Sequence, residues 1–325
     1  MPSTSYHIAQ SVREIVERGD LGVRKLNAPA KINLRLKVLG RRADGYHLLS
    51  MLNATCSLAD ELRVRFRTEP LCSVSIDLPD LKSVRSADNL VFKAFHNYWK
   101  AFDCDEPPCG IDVDIIKRIP VGGGLGGGSS DAGAFLRLLT ELFQEAIQEC
   151  LGLDRDQYLS RVTAAALACG ADVPYAYSGG VCWVTGIGGD VRPIRVNRLW
   201  EGSVLVVAPP KPVPTGPFYE SYRAHHPDLS DDLDSMMERF SGHPDPTLLP
   251  GLLGNDFEAD VCRLVPEVGQ GLACARSFFP HTTSLTGSGS CFFSLVGSAE
   301  GERIAPFIEA MRQQRMTVYV THLEG

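Results

Sequence analysis

The sequence predicts an α+β protein of two domains. Three observations carry that reading. The 325 residues are about twice a typical domain of ~150. Runs with a two-residue apolar period and runs with a helical period both occur, without the regular strand–helix alternation of a doubly wound sheet. Hydrophobic residues make up 44% and charged residues 22%, a globular balance that supports a full core and excludes wholesale disorder.

Residues 1–26 read as an N-terminal extension. Ile8, Val12, Ile15 and Val16 share helical spacing there, which predicts an amphipathic helix resting on the body. The stretch has no apolar signal-peptide region, and Glu14, Glu17 and Asp20 argue against an organelle transit peptide. From Ala30 the residues alternate: Ala30, Ile32, Leu34, Leu36 and Val38 point one way and Lys31, Asn33, Arg35 and Lys37 the other, so a half-buried strand is expected. Arg41 to Gly45 follow as a turn with an Asp-Gly signal. Alternation returns over Glu61–Arg67 and, more loosely, over Ile111–Ile119.

Beyond Pro120, Ala132, Phe135, Leu136, Leu138, Leu139, Leu142 and Phe143 form a helical stripe. A second helix over Gln157–Cys169 stops at Gly170. Strands are predicted over Gly179–Thr185, Ser203–Ala208, Cys291–Val296 and Met316–Val320. Helices are predicted over Asp256–Phe278, interrupted near Pro266, and over Glu302–Arg312. Residues 225–250, rich in Asp, Pro, Ser and His, read as a surface loop or insertion. The domain boundary falls near residues 193–202, which divides the chain into 27–197 and 198–325.

The net charge of −7 argues against a nucleic-acid or membrane-surface partner. Ten cysteines without a C-x-x-C spacing, three of them inside apolar runs, read as reduced structural thiols of a cytoplasmic protein. No apolar stretch approaches the ~20 residues of a membrane span.

Glycine numbers 31, against roughly 23 at average usage. Six of them cluster in Pro120-Val121-Gly122-Gly123-Gly124-Leu125-Gly126-Gly127-Gly128-Ser129-Ser130. A strand, a glycine-dense loop and a helix in that order make an anion site, because glycines admit phosphate oxygens to backbone N–H groups and the helix start adds positive potential. Ser129 and Ser130 would open the helix, where their hydroxyls can cap it, hold a phosphate or ligate Mg²⁺. The loop lacks the Gly-Lys-Ser/Thr ending of a P-loop and the following acidic residue of a dinucleotide site.

This loop resembles the phosphate loop of the GHMP kinases, which phosphorylate small alcohols with ATP. Its expanded glycine form resembles the branch that acts on 4-diphosphocytidyl-2-C-methyl-D-erythritol, as do four further blocks in the same order. These are Ala28-Pro29-Ala30-Lys31-Ile32-Asn33-Leu34, Arg42-Ala43-Asp44-Gly45-Tyr46-His47, Gly170-Ala171-Asp172-Val173-Pro174 and Leu285-Thr286-Gly287-Ser288-Gly289-Ser290. The resemblance implies an N-terminal ATP-binding domain, a C-terminal ferredoxin-like domain and a substrate cleft between them. It implies that Asp172 accepts the hydroxyl proton and that Lys31 stabilises the developing negative charge. Asn33 would bond the methylerythritol hydroxyls. Tyr46 and His47 would take the cytidine, with Tyr219 a second stacking ring and Thr215 a nearby contact.

The turn around Gly287 and Gly289 would help enclose the substrate's phosphates. Asp131 would either help hold Mg²⁺ or cap the helix, and the metal ligands stay unassigned. The expected activity is transfer of the ATP γ-phosphoryl to the substrate's 2-hydroxyl, on the non-mevalonate route to isoprenoids, by a monomer or homodimer. Two alternatives stay open. One is a GHMP kinase of homoserine or mevalonate type, against which the tripled glycines and the Arg42–His47 block argue. The other is a non-catalytic ATP-binding relative, which should have lost Lys31 or Asp172.

Overall fold

The computed structural model describes residues 4–18, 21–77, 88–210, 240 and 245–324. Contacts gather the chain into two units. Unit 1 comprises Met1–Pro29, Ala59–Arg118 and Gly127–Ser178, and unit 2 comprises Ala30–Leu58, Ile119–Gly126 and Gly179–Gly325. These are packing units assembled from separate stretches, a different kind of division from the continuous domains 27–197 and 198–325 expected from the sequence.

Unit 1 draws on α1 (Thr4–Glu17), β1 (Val23–Arg41), β2 (His47–Arg67), β3 (Cys72–Ile76), α2 (Leu90–Ala101), β4 (Gly110–Ile116), α3 (Gly127–Leu151), α4 (Arg155–Cys169) and α5 (Val173–Ser178). Strands β1 and β2 contribute residues to both units. β3 runs parallel to β4, and β4 pairs antiparallel with Glu61–Arg67 of β2. The stripe along α1 buries Ile8, Val12 and Val16, one turn apart, and α1 packs on α3. Helix α2 lies in a stretch for which the sequence reading made no prediction. Asn89 starts it by accepting from Val91 N at 2.8 Å, and it buries Val91, Ala94, Phe95, Tyr98 and Trp99. Tyr98 and Tyr158 join hydroxyls at 2.7 Å, so these two large rings enter the core with their polar ends satisfied.

Helix α3 begins at Gly127, two residues before Ser129. Ser129 and Ser130 therefore lie inside its first turn instead of opening it as expected. The reason is Gly126: its φ of +70° makes the left-handed step from loop to helix there. Asp131 is no cap either. Its carboxylate is buried and accepts from Lys117 Nζ at 2.8 Å; the same ammonium also meets buried Asp60, whose other oxygen accepts from Arg118 N at 2.5 Å. Lys117 precedes the glycine loop and Asp131 follows it, so the pair closes the base of the loop.

One ammonium faces two carboxyls in this cluster. Burial, with Asp60 beside it, pushes the Asp131 carboxyl up to about 7, against the pull of Lys117. The two carboxylates in turn hold the Lys117 ammonium charged, against its own burial.

Unit 2 adds β5 (Val181–Gly186), β6 (Asp190–Pro193), β7 (Gly202–Ala208), β8 (Gly254–Asn255), α6 (Glu258–Leu264), α7 (Pro266–Phe278), β9 (Thr283–Leu285), β10 (Phe292–Gly297), α8 (Ile304–Gln313), β11 (Thr317–Thr321) and β12 (Leu323–Glu324). Here β2 pairs with β5 and β12, and β1 pairs in parallel with β8. A separate antiparallel sheet runs β11-β7-β10-β9. One core cluster joins Ala30, Ile32 and Leu34 of β1 to Val204 and Val206 of β7 and Phe293 and Leu295 of β10. The break expected near Pro266 falls between α6 and α7, as a proline at a helix start requires. Of residues 225–250, only 240 and 245–250 belong to the described residues. No helix among the described residues is long and apolar enough to cross a membrane.

The buried carboxyl sets a pH signature. A native Asp131 with its affinity for protons raised binds more of them than the unfolded chain does between pH 4 and about 7. Its contribution to stability therefore falls as pH rises through that window. In urea unfolding at pH 5, 6, 7 and 8, Asp131→Asn should gain stability relative to the unaltered protein as pH rises. A difference independent of pH would place the proton elsewhere.

Candidate active site

The polar face of β1 is not exposed as a half-buried strand would be. Lys31 is 6% exposed and Asn33 is fully buried. In unit 2 the glycine loop covers Lys31: Lys31 N donates to Leu125 O at 3.0 Å, and a Cβ on Gly126 would come within 2.9 Å of Lys31 Cγ. Glycine at 126 thus serves twice, supplying the left-handed backbone and admitting the lysine stem.

Lys31 Nζ donates to Asn33 Oδ1 at 3.1 Å, and Asn33 Nδ2 donates to Asn53 Oδ1 at 2.6 Å. Asn33 N donates to Thr286 Oγ1 at 3.0 Å. Buried polar groups on an apolar strand are costly unless bonded, and this chain of bonds satisfies them. Asn53 Nδ2 has no partner among the described residues. Thr286, expected only as part of the turn that encloses the substrate's phosphates, holds the β1 backbone, and Asn53 and Asn255, to which the sequence pointed no role, carry further parts of the site. Asn255 Nδ2 donates to Gly287 O at 2.8 Å and to Leu285 O at 3.2 Å, holding the second glycine turn in place.

That turn lies against the glycine loop, backbone on backbone. A Cβ on Gly124 would meet Thr286 O at 2.5 Å, and one on Gly287 would meet Gly124 O at 2.6 Å. Cys291 N donates to Gly123 O at 3.1 Å, and the Cys291 thiol fills the space a side chain at 123 would need. Burial pushes that thiol up to about 12, so it packs behind the loop as a neutral group.

In unit 1, Asp172 directly precedes α5, and its carbonyl accepts from Ala176 N at 3.0 Å. Helix α5 is clamped to α3. Gly133 leaves no room for a side chain against Ala176, and Arg137 donates to Tyr177 O at 3.1 Å. The segment carrying Asp172 is therefore held against α3.

Tyr46 and His47 end the turn after β1. Arg42 N donates to Tyr46 O at 2.7 Å, and Gly45 takes a φ of +91°. Tyr46 is 59% exposed and His47 is buried at the start of β2. Thr215 and Tyr219 lie outside the described residues.

Gly124 lets the two turns meet. Gly124→Ala combines a φ of +81° with a backbone collision, and unfolding should show a loss of about 2–5 kcal/mol. An unchanged urea midpoint would mean that the turns separate without cost.

The family described as GHMP kinases N terminal domain matches residues 89–180. A 4-diphosphocytidyl-2-C-methyl-D-erythritol kinase of Aromatoleum aromaticum is 34% identical over 281 residues, covering 85% of this chain and 86% of that one. Its namesake from Bordetella parapertussis is 36% identical over 271 residues, covering 82% and 80%. Among solved structures, a 4-(cytidine 5'-diphospho)-2C-methyl-D-erythritol kinase aligns with TM-score 0.66 at 31% identity, over 93% of this chain and all of that one. The Methanococcus jannaschii mevalonate kinase aligns with TM-score 0.63 at 14% identity, over 94% of this chain and 100% of that one, which shows a shared fold. Identity at this level over most of both chains makes the protein a member of the GHMP kinase family, in its 4-diphosphocytidyl-2-C-methyl-D-erythritol kinase branch.

Proposed function

We propose that this protein transfers the γ-phosphoryl of ATP to the 2-hydroxyl of 4-diphosphocytidyl-2-C-methyl-D-erythritol, giving the 2-phosphate and ADP on the non-mevalonate route to isoprenoids. The observation that carries the reading is buried Lys31, bonded to buried Asn33 and packed against Gly126 of the phosphate loop. A fully bonded amide and an ammonium under an anion-binding loop suit a site where a polyol hydroxyl meets a phosphoryl group. Relatives named for this activity over most of the chain support it.

In the reaction, a bond forms between the 2-hydroxyl oxygen and the γ-phosphorus while the bond from that phosphorus to the β–γ bridging oxygen breaks. The hydroxyl proton passes to the Asp172 carboxylate. A carboxylate is a weak base, so Asp172 acts chiefly by orienting the hydroxyl and taking its proton late, as a loose transition state allows. The Lys31 ammonium stabilises charge on the transferred group, and Asn33 orients the substrate hydroxyls. Tyr46 and Tyr219 stack on the cytosine, His47 meets its edge, and Thr215 lies beside it.

Pro120 opens the loop, and the backbone N–H groups of residues 121–128 with the hydroxyls of Ser129 and Ser130 hold the triphosphate as its Mg²⁺ complex. Among the described residues no group of three or more His, Cys, Asp or Glu forms a metal cage. Mg²⁺ would be held largely through the substrate phosphates, keeping several of its waters. When bound, Mg²⁺ neutralises charge on the β- and γ-phosphates.

The same proposal takes 27–197 as the ATP-binding domain and 198–325 as the C-terminal domain, in a cytoplasmic monomer or homodimer. Ten free cysteines, most of them buried, suit a reducing compartment.

The reading is tested by incubating the protein with ATP, Mg²⁺ and the cytidine diphospho-methylerythritol while following ADP release. Turnover of mevalonate or homoserine instead would overturn it. Asp172→Asn should lower kcat by about 10²–10⁴-fold and leave nucleotide binding within about twofold; equal loss of nucleotide affinity would make Asp172 a structural residue. His47→Ala should raise KM for the cytidine substrate about tenfold at nearly constant kcat, and an unchanged KM would remove it from the pocket.

A further inference from the structure

Arg35 follows Lys31 and Asn33 on the same face of β1, at the next alternate position. It stands opposite Gly254 in the parallel β1–β8 pair. Its guanidinium lies across that glycine: a Cβ at 254 would collide with Nη1 and come within 3.2 Å of Cζ. The neighbouring Asn255 is tied to the second glycine turn, whose Thr286 holds the backbone of Asn33. Arg35 is therefore mounted on the frame that holds Lys31 and Asn33, all within unit 2.

What distinguishes this arginine is a buried donor with no acceptor among the described residues. Its Nε is buried without a hydrogen-bond partner among the described residues, and Arg35 takes part in no ion pair among them. The carboxylate of nearby Asp256 is directed to Val38 N at 2.9 Å. A guanidinium offers five donors in a planar fork that matches a phosphate, and desolvating one of those donors without a partner is unfavourable.

We infer that Arg35 binds the diphosphate of the alcohol substrate and so selects acceptors that carry a phosphate close to the reacting hydroxyl. The inference rests on the function proposed above. In that substrate the diphosphate sits on carbon 4, two carbons from the hydroxyl that Asn33 orients. Arg35 lies two residues from Asn33, about 7 Å along the strand. The spacing of the side chains thus follows the spacing of the groups they would bind. Gly254 is part of the device, because any side chain there would push the guanidinium aside.

The shared chemistry, a phosphate anion, could also come from ATP, and kinetics separate the two sources. Arg35→Met in the full-length protein should raise KM for the cytidine diphospho-methylerythritol about 10–100-fold and leave KM for ATP within about twofold. Arg35→Lys should fall between, since an ammonium keeps the charge without the fork. Gly254→Ala, which leaves Arg35 in place chemically, should move the same KM in the same direction by a smaller factor. By calorimetry the unaltered protein should bind cytidine diphosphate more tightly than cytidine monophosphate, and Arg35→Met should remove most of that difference.

Unchanged KM values in Arg35→Met and Arg35→Lys would overturn the inference while leaving the kinase reading intact. A raised KM for ATP alone would assign Arg35 to the nucleotide and overturn it equally. If the unaltered protein does not turn over the cytidine substrate, the functional reading fails and the inference with it.

Discussion

The site depends on backbone approaching backbone. Gly124 and Gly287 bring two turns from distant parts of the sequence into contact that no side chain would permit, and Gly126 lets the loop lie on the stem of Lys31. Once those approaches are made, little else is free. The strand beneath must be polar where the loop covers it, its polar groups must find one another, and the second turn must be tied down by Thr286 and Asn255. The glycines thus create buried space with hydrogen-bonding demands, and the neighbouring amides and hydroxyls meet them.

Charge is managed in the same economy. The protein carries a net charge of −7 although its expected ligands are polyanions. Two cations with buried side chains, Lys31 on β1 and Lys117 just after β4, have different partners. Lys117 is neutralised by the two carboxyls around it and serves the architecture. Lys31 donates to the neutral amide of Asn33 under the glycine loop.

Much of this was legible in the residues. Alternation from Ala30 to Val38 marked β1, and the glycine run between a strand and an apolar stripe marked an anion loop, because both signals are local. The start of α3 was misread by two residues, since Ser129 and Ser130 look like caps and only the left-handed Gly126 shows that the helix is already under way. Helix α2 escaped notice although Asn89 before Leu90 and Val91 was an available start signal. The Asp60–Lys117–Asp131 cluster and the Asn33–Thr286 bond had no sequence signature. Their members lie between 14 and 253 residues apart, and only the fold makes them neighbours. Asn53, a lone amide in the apolar run Met51–Ala54, was the one hint that this strand face is polar for a reason.

The shared core of β1 and β10 has a consequence during synthesis. Ala30 and Ile32 leave the ribosome long before Phe293 and Leu295, the residues whose packing they share. At ~5–20 residues per second the apolar side of β1 waits on the order of tens of seconds for those partners. Through that interval the nascent chain presents a strand built for burial with part of its cover unmade, so newly made copies are most exposed to aggregation before the last strands emerge.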